Sequence, residues 1–245
     1  MGLIPVCIGM PRSASRMTWQ IAKLFSPPEP SSWQFEMKRG NSVPSLRPEP
    51  WPYRSHDFVP GIDPVIYTYR DPVEAFLSLY SRLEKDTQSD VQNKRSKYSK
   101  CSSEILLHRE VLRKLVSQNK KGRPLLIMKY EEYFGNDEKR VRDIASFLNL
   151  DIDREKVSQI VDYVSIDNNL KRSLDIPHDF AIHAFSTWED PTSGIQGYHV
   201  NEKTQGEIGA HQKLFPHEID LILESSDTED FGRLRLFAQE LGYTY

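Results

Sequence analysis

Two cysteines in 245 residues, Cys7 and Cys101, are too few for a disulfide scaffold, and they sit in unlike surroundings, one in an apolar run and one in a polar stretch. A reducing, cytoplasmic setting is the reading that follows. No apolar run approaches the roughly 18 residues a membrane helix needs. The first residues lack a charged segment followed by a long apolar one, so neither a membrane span nor a secretion signal is expected. Excess positive charge is lacking too: 32 Lys and Arg stand against 35 Asp and Glu, a formal net charge of −3. That removes the global basic field of a nucleic-acid binder and leaves anion recognition to local clusters. The nucleotide P-loop pattern Gly-x-x-x-x-Gly-Lys-(Ser/Thr) does not occur, and no His, Cys, Asp and Glu are spaced as metal ligands, so no metal is expected. There is no internal repeat.

What is present is a globular composition, 38% hydrophobic and 27% charged, in a chain long enough for one large α/β domain. The apolar run Leu3 to Ile8, closed by Gly9, predicts a buried strand. Met17, Ile21, Leu24 and Phe25 share one helical face, which predicts a helix over Thr18 to Phe25. Prolines crowd residues 40–64, which read as loop with one short strand near Tyr53. Val65 to Tyr69 is a second strand, followed by Asp71 as helix cap, Pro72 at the first helical position, and a stripe of Val73, Phe76, Leu77 and Tyr80. Residues 85–100 are polar and read as exposed loop, followed by a helix over Ser103 to Asn119. Pro124 to Met128 is a third strand, and Val141, Ile144, Ala145 and Leu148 mark another helix. Residues 166–215 read as long loops, and two helices close the chain, one starting at Pro216 and the other carrying Leu234, Phe237, Ala238 and Leu241. Alternating strands and helices predict a parallel sheet covered by helices, with ligands beyond the carboxyl ends of the strands.

Three segments fall at or near such ends. After the first strand comes Met10-Pro11-Arg12-Ser13-Ala14-Ser15-Arg16-Met17, small and hydroxylated residues opening a helix. Amides at a helix start favour an anion, Ser13 and Ser15 add hydroxyls, and Arg12 and Arg16 add fixed charge. The segment reads as a phosphate or sulfate cradle, or as a plain strand–helix connection with two surface arginines. At the second strand end, Arg70 and Ser78 are eight positions apart, a strand end and a point two helical turns on. Ser78 lies off the apolar stripe, so the two side chains can clasp one dianionic phosphate. His56 lies just upstream of that strand in Arg54-Ser55-His56-Asp57; imidazole titrates near neutral pH and can serve as a general base, a property His56 shares with His183, His199 and His211 in the late loops.

Together these residues resemble the sulfotransferases that use 3′-phosphoadenosine-5′-phosphosulfate (PAPS). Pro11-Arg12-Ser13-Ala14-Ser15 resembles that family's 5′-phosphosulfate loop, with Ala14 in the place of the usual glycine, a small change, and Arg16 in the place of a hydroxyl residue, a larger one. Tyr69 to Tyr80 resembles the 3′-phosphate motif, and Arg54-Ser55-His56 the (Lys/Arg)-(Thr/Ser)-His segment that supplies the base. Tyr130, in Lys129-Tyr130-Glu131-Glu132, stands where relatives place a tyrosine near the nucleotide, or is a half-buried tyrosine at a strand end. Gly206 to Pro216 resembles the late loop over the nucleotide's 3′ side, with His211 where tryptophan is usual and Lys203 and Lys213 as candidate phosphate contacts.

The resemblance implies one three-layer, P-loop-like α/β domain spanning 1–245, with a central parallel sheet. It implies PAPS as donor, PAP as product and no metal. The residues implied around the nucleotide are Arg12, Ser13, Ala14, Ser15, Arg16, Met17, Arg70, Ser78, Tyr130, Lys203 and Gly206; Arg12 and His56 are the implied catalytic groups. The acceptor is a small molecule, glycan or peptide. A nucleotide kinase predicts a Walker lysine and an acidic magnesium pair, neither of which is present. A non-catalytic nucleotide-binding module is the other alternative, left open by Arg16.

Overall fold

A computed structural model describes residues 5–25, 52–84, 91–165, 167–168, 208 and 228–244. Among them four strands form one parallel sheet: β1 (Val6–Gly9), β2 (Tyr53–Ser55), β3 (Val65–Tyr69) and β4 (Leu125–Lys129), in the order β2-β1-β3-β4. The helices are α1 (Ser15–Leu24), α2 (Pro72–Glu84), α3 (Val91–Asn119), α4 (Tyr130–Tyr133), α5 (Asp137–Phe147), α6 (Arg154–Val164) and α7 (Thr228–Glu240).

The register aligns Cys7, Ile66 and Leu126 across three strands, and Val6, Val65 and Leu125 one position earlier. Successive strand residues face opposite sides. Cys7, Ile66 and Met128 therefore pack with α1, α5 and α6 through Ile21, Val141, Ile144, Val157 and Ile160. Val6, Ile8, Val65 and Tyr67 pack on the other side against Val111 and Leu115 of α3. On that side α2, α3 and α7 close a further core of Phe76, Ile105, Leu234 and Phe237. The result is three layers, helices on both faces of a parallel sheet.

Both cysteines are buried, and they are not joined in a disulfide. The exposed loop expected over 85–100 is helix from Val91 on: α3 begins there, twelve residues before the expected start at Ser103. Its polar first turns are held by a sparse stripe, Tyr98, Cys101, Ile105, His108, Val111 and Leu115, spaced three or four apart and buried throughout. Tyr98 meets Phe76 of α2 edge-on, with ring centroids 4.9 Å apart. So few apolar positions in a charged stretch do not produce a readable period. Helix α1 also starts earlier than Thr18, at Ser15, because the loop after β1 winds straight into it. Helix α6 was not among the expected elements, although Asp153 caps it by accepting from the Lys156 amide at 2.7 Å and Val157, Ile160 and Val164 form its buried face. The Asp71–Pro72 start of α2 is as expected: Asp71 Oδ1 accepts from the Val73 amide at 2.9 Å. The helix expected from Pro216 lies outside the described residues, as do most of residues 166–215.

Because all four strands are parallel, their carboxyl ends lie along one edge. That edge carries Gly9, Ser55, Tyr69 and Lys129, and immediately beyond them Met10, His56, Arg70 and Tyr130. The chain runs from β1 outward to β2, then returns to the far side of β1 for β3. The crevice between β1 and β3 is therefore the switch point where open α/β sheets bind ligands.

Candidate functional site

The loop from Met10 to Ala14 is shaped by close packing beneath it. A side chain on Gly9 would bring its Cβ within 2.3 Å of both Ser15 Cβ and Thr68 Oγ1, so only glycine fits where the loop leaves β1. Ser13 is buried, and its hydroxyl lies 2.6 Å from the Met10 carbonyl and 2.9 Å from Thr68 Oγ1. Its hydroxyl braces the loop against β3 rather than reaching outward, which differs from the donor role expected of it. Arg12 and Ala14 both adopt left-handed backbone, at φ 67° and φ 60°. Residues in that conformation curl a loop so that successive amides converge on an anion. Ala14 is the cap position of α1 and supplies no side-chain hydrogen bond. The first intrahelical bond is Thr18 N–H to Ala14 C=O at 3.1 Å, so the amides of Ser15 to Met17 precede it and belong to the anion-favouring end of the helix. Met17 contributes only backbone there: its side chain is core and contacts Arg140.

Ala14 is not the small change it looks like in the sequence. A non-glycine residue in the left-handed region costs about 1–2 kcal/mol, which explains why glycine is usual at this point of the pattern.

The loop meets the second strand end directly. Arg12 Nε donates to Ser78 Oγ at 2.9 Å, across 66 positions of sequence. Arg70, at the end of β3, is buried; its guanidinium lies 4.6 Å from the centroid of the Tyr130 ring and 3.3 Å from Glu74 Oε2. Tyr130 stands at the end of β4, where burial pushes its phenol upward against the pull of Arg70, Arg140 and Arg12. It is therefore a neutral aromatic platform under a cation. Arg12, Ser78, Arg70 and Tyr130 thus form one cluster above the β1–β3 crevice, built from three strand ends. Behind it, Glu131 accepts from the Asp71 amide at 3.1 Å and from the Tyr243 hydroxyl at 2.7 Å, tying the end of the chain to the start of α2.

His56 stands on the β2 side of the same edge. Trp19 of α1 fixes that strand by donating its indole N–H to the Pro52 carbonyl at 2.8 Å. Arg123 holds the following loop through the carbonyls of Val59 and Asp63, each at 2.7 Å. His56 Nδ1 lies 2.5 Å from the Gly9 carbonyl oxygen. A carbonyl only accepts, so the proton is on Nδ1 and, in the neutral ring, Nε2 carries the free lone pair. By its accessible surface His56 is exposed, yet the protein atoms packed around it still desolvate the ring. That desolvation lowers its pKa from the ordinary histidine value; the Gly9 bond opposes the shift, and the charges of Arg54 and Arg16 add to it. Arg16, which replaces the usual hydroxyl residue, thus acts on His56. The His108 ring sits edge-on, 6.3 Å from that of His56, with Nδ1 3.3 Å from the Tyr67 hydroxyl; burial pushes its pKa down to about 3. Sequence reasoning missed His108, because a single histidine in a polar-looking helix carries no signal. It also missed Glu74, although its spacing of four from Arg70 is legible. Lys203, Gly206, Lys213, His183, His199 and His211 lie outside the described residues.

Residues 33–176 match the family model described as the sulfotransferase domain, more than half of the chain. The chain belongs to the sulfotransferase domain family. The matched stretch includes Arg54 to His56, Arg70, Ser78 and Tyr130, while the loop of Arg12 to Arg16 precedes it. No curated protein matches the chain. Among solved structures it is similar to mouse sulfotransferase SULT7A1 complexed with PAP, with 13% sequence identity and a TM-score of 0.49 over 92% of this chain and 86% of that one. In this sulfotransferase no helix among the described residues is long and apolar enough to cross a membrane.

Proposed function

We propose that this sulfotransferase takes its sulfuryl group from PAPS and passes it to an acceptor hydroxyl or amine, with His56 as general base and the whole chain, 1–245, acting as one domain. The observation that carries the reading is the Arg12–Ser78 hydrogen bond. It joins two anion seats, the curled loop before α1 and the strand end at Arg70. Two adjoining seats suit a ligand that bears two phosphates on one ribose.

In this reading the amides of the Arg12–Met17 loop hold the 5′ end of the donor. Arg70 and Ser78 hold its 3′-phosphate, with Tyr130 backing the Arg70 guanidinium. The donor supplies an activated sulfuryl group. His56 Nε2 takes the proton of the attacking hydroxyl while a sulfur–oxygen bond to the acceptor forms and the bond to the 5′-phosphate oxygen breaks. The products are the sulfated acceptor, PAP and a proton on His56 that passes to solvent. Arg12 neutralises charge gathering on the departing phosphate oxygen. Positioning and fixed charge supply most of the acceleration, as in phosphoryl transfer.

The test is a ligand comparison. PAP should raise the melting temperature of the protein, by mass action on the folded state. Arg70→Ala should weaken PAP by roughly 1.5–3 kcal/mol, the worth of a charge-assisted hydrogen bond, and leave adenosine 5′-phosphosulfate, which lacks the 3′-phosphate, nearly unaffected. Equal losses for both ligands remove Arg70 from the 3′ seat. A shift with ATP and magnesium but none with PAP returns the chain to the phosphotransferase alternative. PAP binding with no transfer to a broad panel of hydroxyl and amine acceptors favours a binding module.

A further inference from the structure

Glu74 has no task in the transfer described above, yet it is buried at its centre. It lies one helical turn beyond Arg70, with Oε2 3.3 Å from Arg70 Nη2 and both side chains at 3–4% exposure. Its second oxygen, Oε1, is buried with no hydrogen-bond partner among the described residues. A carboxylate with one dry, unsatisfied oxygen is held in its charged form only by a neighbouring cation. That cation is Arg70, and the other charges acting on Glu74 are the carboxylates of Asp71, on the same turn, and Glu131, from α4. Tyr130 covers the Arg70 guanidinium from α4, and Arg12 is engaged with Ser78.

We propose that Glu74 is a proton-carrying positioning residue: it holds Arg70 in place while the donor site is free, and it takes a proton from solvent when the donor's 3′-phosphate claims that guanidinium, so that donor and PAP bind with uptake of one proton. The inference rests on the reading of Arg70 as the 3′-phosphate seat. The physical step is a change of partner. A phosphate dianion at Arg70 places two negative charges beside a carboxylate that already lacks solvation, and like charges in a poorly solvated site raise proton affinity. Burial has brought Glu74 close to that point: desolvation, opposed by Arg70 and assisted by Asp71 and Glu131, raises it to about 7. In the free protein at pH 8 it is therefore mostly ionised and must gain nearly a full proton on binding. Above that value PAP affinity falls by about tenfold per pH unit, since each unit makes the required proton tenfold scarcer.

The experiment is calorimetric titration of PAP at pH 8 in two buffers of different ionisation enthalpy, Tris and HEPES. At that pH the 3′-phosphate, with a second pKa near 6, is already a dianion and contributes no proton of its own. The expected result is a difference in heat equal to uptake of close to one proton. Adenosine 5′-phosphosulfate, without the 3′-phosphate, should show none. Glu74→Gln should bind PAP at least as tightly as wild type at pH 8, with no proton uptake and no loss of affinity between pH 7 and pH 8.5. A purely structural role would instead weaken PAP in Glu74→Gln and leave the proton count unchanged. Equal heats in both buffers for wild-type protein that binds PAP overturn the proposal and leave the Arg70 reading intact, whether or not the variant folds. Uptake that persists in Glu74→Gln, or that also occurs without the 3′-phosphate, overturns it as well. Failure of PAP to bind removes the reading of the site together with the proposal.

Discussion

Arg12 and Ser78 are joined by a 2.9 Å hydrogen bond between a loop that follows β1 and the second turn of α2. In the proposed reading the bond makes the two anion seats a single unit, and this has a measurable consequence. Ser78→Ala removes the acceptor of Arg12 Nε as well as a hydroxyl from the 3′ seat, and each single substitution, Arg12→Ala or Ser78→Ala, should weaken PAP by roughly 1.5–3 kcal/mol. The double variant should lose less than the sum, with a coupling of about 0.5–3 kcal/mol, as contacting residues do. Calorimetric titration of the four proteins measures it. Strict additivity would show that the bond does not persist once the ligand is seated.

His56→Ala should lower transfer by about 10²–10⁴-fold, the usual contribution of a general base. PAP affinity should stay within roughly threefold, because the His56 hydrogen bond goes to the Gly9 carbonyl and not to a group assigned to the nucleotide. The pH profile carries the sign of the desolvation. In the proposed reading the neutral ring is the base, and its pKa is lowered, so the rate should stay flat as pH falls to the ordinary histidine value, about 6.5, and decline only below it. Folding stability must be followed over the same range by circular dichroism. His56 and His108 are both lowered, His108 to about 3. The unfolded chain therefore binds protons first, and stability falls as pH drops below about 6.5 toward the folded-state values. An acid limb at or above that value, with the protein still folded, would contradict the assignment of a desolvated base.

Ala14→Gly should stabilise the protein. Ala14 sits at φ 60°, which costs a non-glycine residue about 1–2 kcal/mol. Glycine gives back part of that gain through the greater freedom of its unfolded chain, about 0.5–1 kcal/mol. The expected net effect is an increase of roughly 0.5–1 kcal/mol, read as a higher midpoint in urea unfolding at unchanged slope. A lower midpoint would show that the Ala14 methyl, which packs against the α1 core, outweighs the backbone strain.

Much of the fold was legible because it is written in local patterns. The apolar runs ending at Gly9, Tyr69 and Met128 are strands, and Asp71–Pro72 starts a helix wherever the chain goes afterwards. The first twelve residues of α3 were not legible, since their helix is held by Tyr98 and Cys101 packing on α2 and not by a dense stripe. At the site, Arg12, Arg70, Ser78 and His56 could be singled out by residue type and spacing. The outward role of the Ser13 hydroxyl could not be judged, because its acceptors, Met10 and Thr68, come from two different segments.

The sequence by itself determined the kind of chemistry: arginines and hydroxyls at strand ends and a histidine upstream. Only the tertiary structure decided which of those groups meet. Parallel register brings the ends of β1, β3 and β4 to one edge, and so places Arg12 on Ser78 and Arg70 on Tyr130. Burial then assigned protonation, which sequence spacing cannot do. It depends on how many water molecules a side chain has lost and which charge stands beside it. The Gly9 carbonyl fixes the His56 proton on Nδ1 while desolvation lowers the pKa of the ring, and burial raises that of Glu74 beside Arg70, by contacts between segments that lie apart in the chain or by enclosure from several at once.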